Sequence, residues 1–107
     1  MKLWYVYMMT NKPKGVLYIG VTDNIDERVK EHKIKLYPKS FTARYNCDLL
    51  IYFEEIEDGL KATQREKQMK KWKREWKVNL IEEMNPSWID LSMNWNLNNK
   101  TTRFGNK

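Results

Sequence analysis

A single cysteine, Cys47, among 107 residues rules out an internal disulfide and a cysteine-rich zinc site. A reducing, cytoplasmic setting is expected. Also missing is any apolar stretch near the ~18 residues of a membrane span. The opening run Leu3 to Met9 is too brief for the apolar region of a signal peptide and is followed by polar residues, so it reads as a buried strand. The length excludes two ordinary domains. Acidic residues are the minority charge, with fourteen Asp and Glu against twenty Lys and Arg, which leaves a net +6. A basic surface of this kind suits a polyanionic partner, because neutralising phosphates releases counterions.

What the chain does have is aromatic and apolar. Hydrophobic residues make up 41% and aromatic ones 13%, enough for one modest core. Leu3 to Met9 and Val16 to Val21 are two apolar strands. The Pro13- and Gly15-bearing turn between them predicts a hairpin. Asn24, with Glu27 three residues on, predicts a capped helix. Its inner face would carry Ile25, Val29, His32 and Leu36, and Pro38 would stop it. Lys39 to Asn46 is a basic connection with room for one helical turn, and Leu49 to Ile56 is a third strand. From Asp58-Gly59 a helical stretch runs to about Met84, with one bend or break. Its apolar stripe is Met69, Trp72, Trp76 and Leu80, so both tryptophans read as core. The expected fold is α+β: a small, mostly antiparallel three-stranded sheet flanked by helices in the order β-β-α-β-α. One domain over residues 1–92 would be followed by a polar, frayed tail over 93–107.

The chemistry lies in a constellation. Tyr5-Val6-Tyr7 precedes Tyr18-Ile19-Gly20, with ten residues between Tyr7 and Tyr18. Thr22, Asn24, Arg28 and His32 follow, then Ser40-Phe41-Thr42 with Arg44-Tyr45, the helix from Ala62 to Lys67, and Asn85-Pro86 with Trp88. In order and spacing these pieces resemble the GIY-YIG nuclease superfamily, especially its small stand-alone members and the N-terminal nuclease domain of the excision-repair excinuclease. The resemblance covers roughly Leu3 to Leu91. Tyr7 matches the last position of the first motif, and Tyr18 the first position of the second.

The resemblance implies a metal-dependent endonuclease, with DNA preferred to RNA and DNA repair as a setting. Phosphodiester cleavage needs an activated water, counter-charge for the phosphorane-like state and a stabilised leaving oxygen. Glu66 would hold a single Mg2+ or Mn2+, a hard cation that accepts carboxylate, water and phosphate oxygens. Arg28 would grip the scissile phosphate with its guanidinium fork. Tyr18 is the candidate base or water-positioning group, supported by Tyr7, with His32 one turn beyond Arg28. A free phenol ionises near pH ~10, so Tyr18 acts as a base only where positive charge lowers that value; otherwise it orients water. Val21 stands where the excision-repair nucleases carry a lysine. A supporting asparagine is Asn85 in preference to Asn79.

Binding beyond the cut falls to Lys39, Arg44 and Tyr45 near the cleft, and to Lys67, Lys70 and Lys71 in a stretch, Lys61 to Lys77, with eight basic and two acidic residues. A solvated helix face explains part of that stretch, and Glu66 with Lys70 has the i,i+4 spacing of an ordinary surface pair. A protein partner supplying specificity is open, and no membrane is expected. Two other readings compete. The fold could be a nucleic-acid-binding module without cleavage, or the tryptophans could form an exposed docking face.

Overall fold

Successive residues of the first strand serve two different cores, which explains the unbroken apolar run near the start of the chain. In the computed structural model, which describes residues 2–93, the elements are β1 (Trp4–Thr10), β2 (Leu17–Thr22), α1 (Ile25–Lys33), α2 (Phe41–Arg44), β3 (Leu49–Ile56), α3 (Gly59–Lys71) and α4 (Arg74–Met84). One antiparallel sheet has the order β2-β1-β3, so β1 is central. Tyr5, Tyr7 and Met9 pack with Ile25 and Val29 of α1 and with Leu50. Val6 and Met8 point the other way and pack with Ile19, Ile51, Ala62, Met69 and Ile81. Helices therefore cover both faces of the sheet, in the α+β arrangement that the element order predicts. Among the described residues no helix is long and apolar enough to cross a membrane.

β3 carries one extra residue. Met8 pairs with Tyr52 and Met9 with Leu50, which leaves Ile51 bulged. The Ile51 carbonyl accepts a hydrogen bond from Asn85 Nδ2 at 3.1 Å. The same amide clasps Ile89, donating to its carbonyl at 2.8 Å and accepting from its N–H at 3.1 Å. The Leu91 N–H then donates to the Leu50 carbonyl at 2.7 Å. In this way the segment after α4 pairs with the backbone of Leu50 and Ile51 at the edge of β3 and buries Trp88 in the core.

The helices depart from the sequence expectation in three places. Asn24 does cap α1, accepting from the Glu27 N–H at 3.3 Å, but the helix ends at Lys33, before Pro38. Lys35 takes a left-handed φ of 55°, and Leu36, expected on the inner face, is exposed. The long stretch breaks at Trp72 and Lys73, both extended, with ψ of 152° and 148°. No glycine, proline or capping side chain marks that point, and Lys73 makes no side-chain cap hydrogen bond. The break resets the helical phase. Trp72 stays half-buried against the core, whereas Trp76, also expected there, is 52% exposed. The polar tail expected from residue 93 lies, beyond Met93, outside the described residues.

Candidate active site

The hairpin register sets Tyr7 opposite Gly20, and that pairing shapes the site. A Cβ at Gly20 would lie 2.6 Å from the Tyr7 hydroxyl and 2.9 Å from Cε2 of Tyr18. Only a residue without a side chain lets the buried Tyr7 ring cross the strand here. Tyr7 and Tyr18 leave the same face of the hairpin, with ring centroids 6.2 Å apart. α1 then brings His32 onto both rings, at 5.8 Å from Tyr7 and 5.4 Å from Tyr18.

His32 is the anchor of the cluster. Its Nε2 lies 2.8 Å from the Tyr7 hydroxyl, and its Nδ1 lies 2.8 Å from Thr42 Oγ1. Ser40 Oγ is 3.3 Å from the same Thr42 oxygen and caps α2 by accepting from the Ala43 N–H. A neutral imidazole donates through one nitrogen and accepts through the other. His32 therefore carries one consistent hydrogen-bond direction from α2 to the hairpin. Burial pushes its pKa down to about 4, the Arg28 charge adds to the shift, and Glu31 opposes it. The ring is neutral at pH 7.

A stability consequence follows with a definite sign. The unfolded histidine binds a proton near pH ~6.5 and the folded one only near 4, so between these values the unfolded state holds the extra proton. The contribution is complete above the unfolded pKa and is lost as the pH falls towards 4. Acidifying from pH 7 to 5 should remove about 2 kcal/mol through this one residue. Urea unfolding at both pH values, set against a His32→Gln variant lacking that slope, measures it.

Burial raises the Tyr7 pKa well above the ordinary tyrosine range. Tyr18 beside it adds to the rise, and Arg28 offsets only part. Tyr7 therefore keeps its proton at neutral pH. Arg28 interacts with both phenols. Burial disfavours its charge, but the hydrogen bond to Glu31 and the two tyrosines outweigh that and hold its pKa above the ordinary value. Its Nη1 donates to Glu31 at 2.9 Å, and its guanidinium lies 5.8 Å over the Tyr37 ring. One side of the fork is thus fixed from behind.

β2 is an edge strand, and at that edge the helices of the two faces come together. A cleft of about 280 Å³ is lined by Leu17, Tyr18 and Ile19 of β2, Phe41 of α2, Lys70 of α3 and Lys77 of α4. Glu66 stands one turn before Lys70, and their side chains pair at 3.0 Å. Of the basic residues singled out on α3, only Lys70 lines the cleft; Lys67 and Lys71 are exposed and do not. Lys39, Arg44 and Tyr45 are exposed on and beside α2. Asn85 commits its amide to Ile51 and Ile89, and the supporting position expected for it is a structural tie across the β3 bulge.

Three comparisons bear on this geometry. The description "GIY-YIG catalytic domain" matches residues 3–79. The chain belongs to the GIY-YIG family. It is 34% identical over 79 residues to a UPF0213 protein of Syntrophus aciditrophicus (strain SB), a span covering 74% of this chain and 90% of that one. It is 36% identical over 77 residues to UPF0213 protein CPE1444 of Clostridium perfringens (strain 13 / Type A), covering 72% and 81%. No solved structure gives a significant match. A GIY-YIG catalytic domain points to nuclease activity on a nucleic-acid substrate, and GIY-YIG nucleases generally use a divalent metal ion.

The donor set can be tested against such an ion. Among the described residues no group of three or more His, Cys, Asp or Glu side chains comes together, so a protein cage of the zinc type does not fit. Glu66, 14% exposed, fits the open mode of Mg2+, in which one carboxylate is joined by waters and substrate phosphate oxygens. Lys70, its partner, is half-exposed. Sequence reasoning passed over Gly20, Thr42 and Phe41 as working parts. Ser40-Phe41-Thr42 stood among the motif pieces, but no local periodicity links Thr42 to a histidine ten residues earlier.

Proposed function

We propose that this GIY-YIG protein is an endonuclease that hydrolyses a nucleic-acid phosphodiester, DNA in preference to RNA, using one Mg2+ or Mn2+. The observation that carries the reading is that Tyr18, grouped with Tyr7 and interacting with Arg28, lines the same cleft as Lys70, itself paired to Glu66. Arg28 binds the scissile phosphate through the N–H groups that Glu31 leaves free. Tyr18 lines the cleft and as a phenol holds the attacking water, or as a phenolate takes its proton, as the water oxygen bonds to phosphorus and the P–O bond to the leaving group breaks. Tyr7, locked to His32, keeps its proton and fixes the position of Tyr18. Lys70 brings to the cleft the cation that Val21 does not supply.

Glu66 would hold the divalent ion, which when bound supplies counter-charge to the phosphate and eases ionisation of the water. Lys39, Arg44 and Lys77 would contact backbone phosphates away from the cut. The similarity to excision-repair nucleases suggests the cytoplasm and DNA repair as the setting.

The test is incubation of the purified protein with single-stranded, duplex and branched DNA and with RNA, in Mg2+ or Mn2+ and then in excess chelator. Cutting that needs the ion and responds to substitution of Glu66 and Arg28 supports the reading. Tight binding with no cutting under any condition would leave a nucleic-acid-binding module on the same fold.

A further inference from the structure

α2 has only four residues, and its two faces differ completely. Thr42 and Ala43 are buried, Thr42 being fixed by its hydrogen bond to His32. Phe41, Arg44 and Tyr45 fall at i, i+3 and i+4, one face of the helical turn, and that face is open. Phe41 is 42% and Tyr45 45% exposed. Their rings touch, with centroids 4.7 Å apart, and the Arg44 guanidinium sits 5.9 Å over Tyr45. Phe41 is also stacked on Tyr18 at 6.1 Å and 30°, which makes the aromatic surface continuous with the cleft.

Two touching aromatic rings left in water forgo burial that a small domain can ill spare. Their setting identifies the occupant that would cover them. Arg44 lies over the Tyr45 ring, and Lys70 and Lys77 line the same cleft as Phe41; an anionic backbone with flat bases matches that pattern. Base stacking on aromatic side chains accepts any base, because every base has a π face, but it requires that the base be unpaired.

We propose that Phe41 and Tyr45 form a stacking platform for one unpaired nucleobase beside the scissile phosphate, with Arg44 gripping the adjoining backbone. The inference rests on the nuclease reading and deepens it, since it makes the preferred substrate one whose strand is single or splayed at the cut. His32 and Thr42 hold the platform at a fixed distance from Tyr7 and Tyr18, so a stacked base sets the register of its phosphate in the cleft.

The test uses the full chain carrying Glu66→Gln, which should bind without cutting, and oligonucleotides containing 2-aminopurine. An unpaired probe base should lose fluorescence on binding, whereas the same probe held in a duplex should not. Adding Phe41→Ala with Tyr45→Ala should abolish the quenching and weaken binding of the unpaired oligonucleotide roughly ten-fold or more. Phe41→Trp should restore both. Circular dichroism confirms the fold, and Phe41→Leu replaces the double variant if that variant does not fold.

Unchanged quenching and an unchanged preference for unpaired strands in the alanine variant would overturn the platform, even if wild type cleaves. Quenching in a protein that never cleaves would keep the platform and remove the nuclease reading. Wild type that sediments as a dimer, and becomes monomeric on Phe41→Ala, would show that a second copy covers these rings and would also overturn it.

Discussion

Glu66→Gln should lower cleavage about a thousand-fold without disturbing the fold or weakening nucleic-acid binding. The size follows from the role. Losing a group that offsets charge developing in the transition state costs roughly 10²–10³ in rate, and here the only proposed protein ligand of the divalent ion goes too. Glutamine keeps the shape of the side chain and the helix. The lost ion pair to Lys70 is half-exposed on the lysine side, and pairs of that kind contribute only about 0.3–0.5 kcal/mol. Thermal unfolding should therefore shift little. Removing an acid and freeing Lys70 into the cleft should tighten binding slightly. Single-turnover cleavage and fluorescence anisotropy on one oligonucleotide separate the two effects. A variant that cuts at the wild-type rate removes Glu66 from the chemistry.

Arg28→Ala should reduce cleavage about a hundred-fold and also move a titration elsewhere. The charge of Arg28 is one cause of the low His32 pKa, so removing it should raise the imidazole midpoint from about 4 towards the ordinary value. Burial, the larger cause, remains and keeps the rise partial. Imidazole resonances followed by NMR against pH read this without any substrate. Arg28→Lys should restore much of the charge effect on His32 but little of the cleavage, because an ammonium cannot offer two parallel donors to a phosphate. If both variants cleave normally while the His32 midpoint rises in Arg28→Ala, Arg28 is an electrostatic neighbour of the cluster without a hand in the reaction.

Much of the fold is legible because its signals are local. The three strands lie within about a residue of the apolar runs that announce them, and the Asn24 cap forms where Asn and Glu stand three apart. The motif tyrosines and Arg28 do come together, since hairpin pairing and a capped helix suffice to place them. What cannot be read depends on tertiary context. The turn at Trp72 and Lys73 uses two extended residues of unremarkable type, and the exposure of Trp76 depends on that turn. Asn85 has the look of a polar residue awaiting a substrate, yet it answers a bulge in β3 that the alternation of Leu50, Ile51 and Tyr52 does not reveal. From its position on the helix alone, His32 belongs to the inner face and stands one turn beyond Arg28. Its two hydrogen bonds, to residues twenty-five behind it and ten ahead, make it a strut between elements.

The clasp of Asn85 on the bulged strand bears on how far the folded unit reaches. The family match ends at residue 79, but Ile81 and Trp88 are core residues and the amide tie sits between them. A recombinant fragment trimmed to the matched span would strip one wall from the interior beneath Met8 and leave a raw sheet margin open to pairing between molecules. A fragment that continues through the loop after α4 should therefore fold and stay monomeric where one cut at residue 79 does not, and circular dichroism with sedimentation of the two checks this.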